Sequence, residues 1–469
     1  MRKAALHNLG CKVNAYETEA MEQLLEAAGY TVVPFGEAAD VYVVNTCSVT
    51  HMAERKSRQM LHRARKLNPQ AVIVAAGCYV QADQEELKKD LAVDILIGNN
   101  RKQDLAEVLE DFFRQRAGQI PAPPDRTKEQ IPQEGAAGGR DGSAPSARQE
   151  KRTVRAEVIA IGKTQEYENL KIARMSGHTR AFVKVQDGCN QFCSYCIIPY
   201  TRGRVRSREV EDVVLEVRRL VEHGCQEVVL TGIHLSSYGV DLKDGTDLLG
   251  LIGRLHPLDG LRRIRLGSLE PRIITEEFAR TLAGWEKVCP HFHLSLQSGC
   301  DATLGRMNRH YTTEEYEECC RRLRRVYANP AITTDVIVGF PGETEEEFQE
   351  TRRYLERIHF YEMHIFKYSV RAGTRAAAME NQVPEPVKTA RSEVLLKLEK
   401  RMSEEYRRSF LGEELEVLLE EPLTVGETTY MMGHTREYVK VAVPWEKGKR
   451  NTFVTGKAVR QISDEILSL

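Results

Sequence analysis

Six of the eleven cysteines in this chain of 469 residues divide into two sets of three. One set is compact: Cys189, Cys193 and Cys196 lie in the run Gly188-Cys-Asn-Gln-Phe-Cys-Ser-Tyr-Cys196. The other is scattered: Cys11, Cys47 and Cys78 each stand just past the end of a short apolar run. Iron–sulfur cubes normally take four thiolates, so a set of three leaves one iron open for chemistry. A structural zinc site is the rival for the compact set. It needs a fourth ligand, and the nearest downstream histidine, His223, falls in an expected helix well away.

The scattered set constrains the fold as well as the chemistry. Over the first ~110 residues, apolar runs at Ala4–Leu9, Val41–Asn45, Ala71–Ala76 and Asp94–Ile97 alternate with helical patterns. Strands separated by helices imply a parallel sheet with right-handed crossovers, whose C-terminal strand ends share one edge. Leu-Gly-Cys11, Asn-Thr-Cys47 and Ala-Gly-Cys78 then meet at the edge where such sheets bind ligands. Three buried cysteines at unrelated positions is the plainer alternative, but it leaves their equivalent places in successive units unexplained.

From about Arg114 to Arg155 the composition turns to Pro, Gly, Ala, Gln and charge, and a flexible linker is expected over 113–165. From Ala181 to Ser369 six strand-like runs start about 30–46 residues apart with helical patterns between them. That spacing fits repeated βα units, and six units make a partial barrel. Gly232, Gln297, Ser298 and Asp335 stand at or near strand ends and are candidates for cofactor contacts; structural capping is the competing role. A charged helix is expected near Pro386–Phe410. After it come four alternating runs rich in Val, Thr and Tyr, which read as a small OB-like β-barrel. The expectation is therefore an α/β protein: a parallel sheet domain over 1–112, a partial (β/α)6 barrel over 166–402 and a β module over 403–469.

Apolar residues make up 41% of the chain, enough for sizeable cores, and no run of 18 uncharged apolar residues exists to span a membrane. The N-terminus lacks the apolar core of a signal peptide, so a cytoplasmic protein with reduced thiols is expected. Net charge is −1, so nucleic-acid contact would rest on local patches. Arg202, Arg204, Arg206 and Arg208 alternate; an extended chain would place them on one face, for phosphate or cofactor contact or as a solvated charged face. The run Arg321–Arg325 reads as a solvated helix face. His234 and His293 could reach the barrel mouth. The other five cysteines have no ligand spacing and read as ordinary thiols.

The Cys189-x3-Cys-x2-Cys196 motif, with Tyr195 before its last cysteine, resembles the radical S-adenosylmethionine superfamily. Asn8-Leu-Gly-Cys-Lys-Val-Asn-Ala-Tyr-Glu17, Asn45-Thr-Cys47, Ala76-Gly-Cys78 and Pro199-Tyr-Thr-Arg-Gly-Arg-Val-Arg-Ser-Arg208 resemble the methylthiotransferases within it. So do Leu294-Ser-Leu-Gln-Ser-Gly299, Met307-Asn-Arg309 and Asp335-Val-Ile-Val-Gly-Phe-Pro-Gly-Glu-Thr344. The C-terminal module resembles their TRAM domain. The resemblance implies two [4Fe–4S] clusters, on Cys189, Cys193 and Cys196 and on Cys11, Cys47 and Cys78. S-adenosylmethionine would bind the open iron of the first, with Tyr195 against its adenine, and the second would carry the sulfur to be inserted. Implied partners are tRNA and a one-electron donor, with no membrane. Gly10-Cys-Lys-Val-Asn14 and Thr231-Gly-Ile-His-Leu235 resemble the branch that methylthiolates carbon 2 of N6-threonylcarbamoyladenosine beside the anticodon. Sister branches act on isopentenyl-adenosine in tRNA or on a ribosomal-protein aspartate. A non-catalytic iron–sulfur RNA-binding protein is the alternative from another class; it would want four protein ligands per cluster.

Overall fold

The computed structural model describes residues 1–118, 154–175, 177 and 179–469. The first sheet contains β1 (Lys3–Asn8), β2 (Thr31–Val32), β3 (Val41–Thr46), β4 (Val72–Gly77), β5 (Ile95–Ile97) and β6 (Arg155–Glu157). Its order is β2-β1-β3-β4-β5-β6 and every neighbouring pair is parallel. Helices α1 (Lys12–Ala27), α2 (His51–Leu67), α3 (Cys78–Ala82), α4 (Gln84–Lys88) and α5 (Leu105–Gly118) connect the strands. Two apolar cores cover the two faces, so β3 and β4 are buried throughout and read as continuous Val, Ala and Ile runs.

The expected linker over 113–165 is narrower than its composition implies. Residues 113–118 complete α5, which is amphipathic and packs Phe112 and Phe113 on the sheet. Residues 155–157 form β6, which pairs with β5. Residues 154 and 158–165 are also described, with a single 3-10 turn at Ile161–Lys163 whose Ile161 is buried; residues 119–153 of that reading lie outside the described residues.

The second unit holds the six expected strands: β7 (Arg180–Asp187), β9 (Glu227–Gly232), β10 (Arg263–Leu266), β11 (His291–His293), β12 (Ala331–Val338) and β13 (Glu362–Lys367). A two-residue strand, β8 (Arg206–Ser207), adds antiparallel to β7 at the edge. Ladders join β10-β9-β7 and β11-β12-β13, and parallel bridges Ile264–Val288 and Leu269–Leu294 connect the two groups into one arc. Helices α6 (Ile198–Arg202), α7 (Val210–Glu222), α8 (Leu248–Leu255), α9 (Glu276–Ala283), α10 (Asp301–Arg306), α11 (Thr313–Val326) and α12 (Glu345–Ile358) lie between the strands. Helix α1 of the first unit packs on β7, and Tyr16 and Ala20 enter the same core.

After α13 (Glu385–Arg408) comes a six-stranded sheet of β14 (Glu414–Val425), β15 (Thr428–His434), β16 (Lys440–Pro444), β17 (Phe453–Lys457), β18 (Arg460–Ser463) and β19 (Ile466–Ser468). Its order is β17-β14-β15-β16-β19-β18, antiparallel apart from β16–β19. The run expected as one strand over Phe453–Gln461 is two, β17 and β18, broken at Ala458-Val459, where the Val459 N–H turns to the Ser468 carbonyl. Buried Arg263 and Arg265 of β10 donate to the His434, Thr435 and Arg436 carbonyls, fastening this module to the barrel.

Candidate active site

Each scattered cysteine follows a strand of one contiguous trio, since β1, β3 and β4 are neighbours in the sheet. Cys47 follows β3 directly, Cys78 follows Gly77 of β4, and Cys11 is the N-cap of α1. Two glycines let the loops approach. Gly10 has φ +108°, and a Cβ there would stand 3.1 Å from the Cys47 Sγ; Gly77 has φ +96°, and a Cβ would stand 2.5 Å from Asn45 Oδ1. The three thiols lie within electrostatic reach of one another. Burial, then Cys78 and Cys11 nearby, pushes the Cys47 thiol up to about 12, and burial raises Cys11 as well.

The compact triad occupies the loop after β7. The Cys189 N–H donates to the Gly203 carbonyl (3.0 Å), and Gly188, at φ +70°, passes so close to Arg204 that a Cβ would sit 1.8 Å from its carbonyl oxygen. The loop is held from across the barrel by the segment after α10. Ser194 bonds the Arg306 and Met307 carbonyls, Asn308 donates to the Phe192 carbonyl, and Arg309 donates to the Cys193 Sγ at 3.3 Å. Burial is the first cause that pushes Cys189 up to about 11 and Cys196 up to about 12.

In neither triad do all three sulfurs lie within 4.8 Å of one another; only His293, Asp335 and His364 form such a group among the described residues. A single tetrahedral zinc with 2.3 Å bonds would hold its sulfurs about 3.8 Å apart. A cube of four irons spreads its thiolates wider, and each triad also has a donor aimed at a sulfur, one of the contacts by which a protein tunes a cluster. The residues present therefore fit two iron–sulfur clusters better than two zinc ions.

The donor at the scattered triad comes from the barrel. Arg202, at the end of α6, is fully buried and donates its Nε to the Cys78 Sγ at 3.3 Å; Asn99 Nδ2 approaches the same sulfur at 3.5 Å. The rest of the guanidinium bonds Asn14, Glu17 and Asp187. Glu17 of α1 is fully buried and is also approached by Lys102 (2.8 Å) and Lys184 (2.7 Å). Burial alone would raise its carboxyl, but Arg202, Lys102 and Lys184 together hold it well below the ordinary range. Asp187 is held down the same way by Lys184, Arg202 and Arg206.

The expectation that Arg202, Arg204, Arg206 and Arg208 share an outward face is thereby corrected. The chain is not extended throughout: α6 ends at Arg202 and Gly203 at φ +73° turns it, so only Arg206–Ser207 run as a strand. Arg202 and Arg206 are fully buried near Asp187, and Arg208 is buried on Glu216. Only Arg204 points outward, over the Phe192 ring. Arg321 and Arg325 are half-exposed, on Glu317, Glu318 and Glu276.

Between the two units lies a cavity of about 240 Å3. One wall carries Val49 and Thr50, just past Cys47; the other carries Tyr195, Cys196, Gln297 and Asp335, with Ile337 and Phe366 as apolar lining. Gln297 takes a left-handed backbone (φ +76°), and its backbone bonds bridge to Asp335 and Ile337. Asp335 is paired with His293 (3.3 Å) and His364 (3.2 Å). Ser298 and Gly232 do not line this cavity. Ser298 is buried on Thr351 and caps the turn into α10 through the Cys300 N–H. Gly232 is a packing position, where a Cβ would meet Gln186 at 2.8 Å. His234 bonds Ser237 and is pushed down to about 4 by burial and by Arg309, so it is neutral at pH 7. The five other cysteines are all buried. Sequence reasoning missed Arg202 and Arg309 as partners of cysteine sulfurs.

Residues 3–98 match the family model described as uncharacterized protein family UPF0004, and residues 183–355 match that of the radical SAM superfamily. The threonylcarbamoyladenosine tRNA methylthiotransferase MtaB of Bacillus subtilis is 39% identical, over 99% of this chain and 98% of that protein. A tRNA-2-methylthio-N(6)-dimethylallyladenosine synthase of Moorella thermoacetica is 35% identical, over 96% of this chain and 93% of that one. Among solved structures, the radical S-adenosylmethionine methyltransferase TsrM from Kitasatospora setae superimposes with a TM-score of 0.56. That match has 17% identity and covers 80% of this chain and 77% of that one; it speaks for the fold.

Proposed function

The chain belongs to the radical S-adenosylmethionine methylthiotransferases, and on that footing we propose that it adds a methylthio group to carbon 2 of N6-threonylcarbamoyladenosine in tRNA. The cofactors of such an enzyme are two [4Fe–4S] clusters and S-adenosylmethionine. In this reading Cys189, Cys193 and Cys196 hold one cluster, and Cys11, Cys47 and Cys78 hold the other. When bound, these groups supply the one-electron and sulfur chemistry that an unactivated aromatic C–H demands, which acid–base side chains cannot.

The supporting observation is the shared cavity, walled on one side by the loop of Cys47 and on the other by Cys196. A base drawn out of its stack into that space stands between the two sites. Ile337, Phe366 and Val49 line it with hydrocarbon, an apolar surface for a base to pack on. Tyr195 packs edge-on to Phe340, which fixes its ring toward the cavity for an adenine. Gln297 and Asp335 offer polar contacts for a cofactor ribose or amino acid group. Arg309 and Arg202 each donate to a cysteine sulfur, of Cys193 and of Cys78. The C-terminal sheet serves, in this reading, as a TRAM-like tRNA-binding module. The place of work is the cytoplasm, where tRNA and a one-electron donor are at hand; no helix among the described residues is long and apolar enough to cross a membrane.

Deleting the gene and profiling tRNA nucleosides by mass spectrometry tests the reading. The methylthio form of threonylcarbamoyladenosine is expected to vanish while its unmethylthiolated precursor accumulates. An unchanged profile rejects the proposal, and loss of the isopentenyl-adenosine derivative instead moves the enzyme to the sister branch.

A further inference from the structure

Apart from the two cysteine triads, one group of side chains converges on a single point. His293, Asp335 and His364 each offer a ligand atom, and the three atoms lie within 4.8 Å of one another, a closeness no other such group reaches among the described residues. They come from neighbouring strands: His293 ends β11, Asp335 lies in β12, and His364 is its register partner in β13. His293 Nε2 stands 3.3 Å from one Asp335 oxygen, and His364 Nδ1 stands 3.2 Å from the other. Nitrogen and oxygen ligands bound at about 2.0 Å to a tetrahedral ion stand about 3.3 Å apart.

His293 is oriented as a ligand. The residue is 7% exposed; its Nδ1 bonds Thr333 Oγ1 at 3.0 Å, while its buried Nε2 faces Asp335 and makes no hydrogen bond among the described residues. A buried nitrogen left beside a carboxylate without bonding it costs free energy, and a cation between the two satisfies both. Ligating histidines have their second nitrogen fixed by an outer partner in this way. Here Thr333 supplies that partner from two residues before Asp335, on the same face of β12. Asp335 also lines the cavity between the two units, so the ligand set borders that space. Arg180 and Arg265 have acids of their own, Glu420 at 3.0 Å and Glu227 at 2.8 Å, and leave Asp335 to the histidines.

We propose that His293, Asp335 and His364 bind one divalent transition-metal ion, with its remaining coordination positions on the side of the cavity. Three protein ligands and an open position are the pattern of a working ion, not of a structural one. At the open position such an ion takes an anionic oxygen, for example a carboxylate of a bound substrate. The site stands on these side chains alone and does not depend on which base enters the cavity.

The probe is Mn2+ alone, added anaerobically to the full chain with both clusters loaded and in their diamagnetic oxidised state. Manganese binds most weakly of the first-row divalent ions and so does not displace cluster iron. The six-line paramagnetic resonance signal of free Mn2+ is expected to stay absent until one ion per chain has been added. Pulsed spectra of the bound ion should show coupling to imidazole nitrogen. Asp335→Asn is expected to abolish binding. Thr333→Val, a near-isosteric change outside the ligand set, should weaken it about tenfold. His364→Gln, at a half-exposed position that leaves the core intact, should weaken it further. A free-ion signal that grows from the first addition overturns the proposal without any variant having to fold. So does an ion that stays bound in both Asp335→Asn and His364→Gln, or one whose spectrum lacks imidazole nitrogen, since each places it elsewhere on the protein.

Discussion

The two cysteine triads solve one chemical problem by opposite routes. The compact triad is local: eight residues supply all three sulfurs, and the loop is clamped by residues of its own barrel, Arg306 to Arg309. The scattered triad is assembled by topology, from three adjacent strand ends, and its electrostatic partner Arg202 arrives from the other unit. The difference teaches where each site is vulnerable. The first depends on loop geometry; the second depends on sheet register and on docking of the barrel.

The largest effects should come from the ligands. Cys47→Ser and Cys193→Ser should each remove about half of the bound iron, consistent with two cubes, and both should abolish product. Only Cys193→Ser should also abolish the change that S-adenosylmethionine makes in the paramagnetic resonance spectrum. A Cys47→Ser protein that retained all its iron would break the comparison outright.

Glu17→Gln comes next. It leaves Lys102, Lys184 and Arg202 around a neutral amide in a fully buried site, which costs about 3–5 kcal/mol. Thermal unfolding followed by circular dichroism should shift down, with iron leaving the scattered triad first. Gly188→Ala tests the opposite side. Its Cβ would collide with the Arg204 carbonyl at a left-handed φ, a strain on the order of 1–3 kcal/mol or more. Iron analysis should show the compact cluster lost and the scattered one kept.

Arg202→Lys is a finer probe. It keeps a charge but loses the Nε donor to Cys78, a bond to a charged group worth about 1.5 kcal/mol. Redox titration should find the potential of the scattered cluster lowered by about 60 mV, with the other unmoved. The smallest effect concerns the space between the sites. The Asp335 carboxylate raises His364, so the pair's stabilisation is full below the ordinary histidine pKa and is lost as pH rises through the raised value. Because His364 is half-exposed, that contribution stays under about 1 kcal/mol. Asp335→Asn should return the His364 titration toward its ordinary value, read by NMR of labelled histidine.

Both triads were legible in the sequence, the compact one from spacing and the scattered one from cysteines recurring after apolar runs. Arg202 was not. Alternating arginines read as an extended face, and nothing near Arg202 announces that its acid, Glu17, lies 185 residues earlier. Tertiary ion pairs leave no periodic signature. Strand β6 was hidden for a different reason: Arg155, Ala156 and Glu157 are three half-buried residues at a sheet edge, with too little apolar pattern to register. Ser298 and Gly232 were placed correctly near strand ends, but whether such a residue faces the ligand or its own backbone is decided by packing against Thr351 and Gln186, which are distant in the chain.

The first sheet borrows its last strand from beyond residue 153, and its cysteine site borrows Arg202 from later still. On the ribosome, Cys11, Cys47 and Cys78 emerge well before either contribution has been synthesised. Nascent chains released early would present Cys78 without the guanidinium that donates to its sulfur, so completion of this site belongs after translation has passed Arg202.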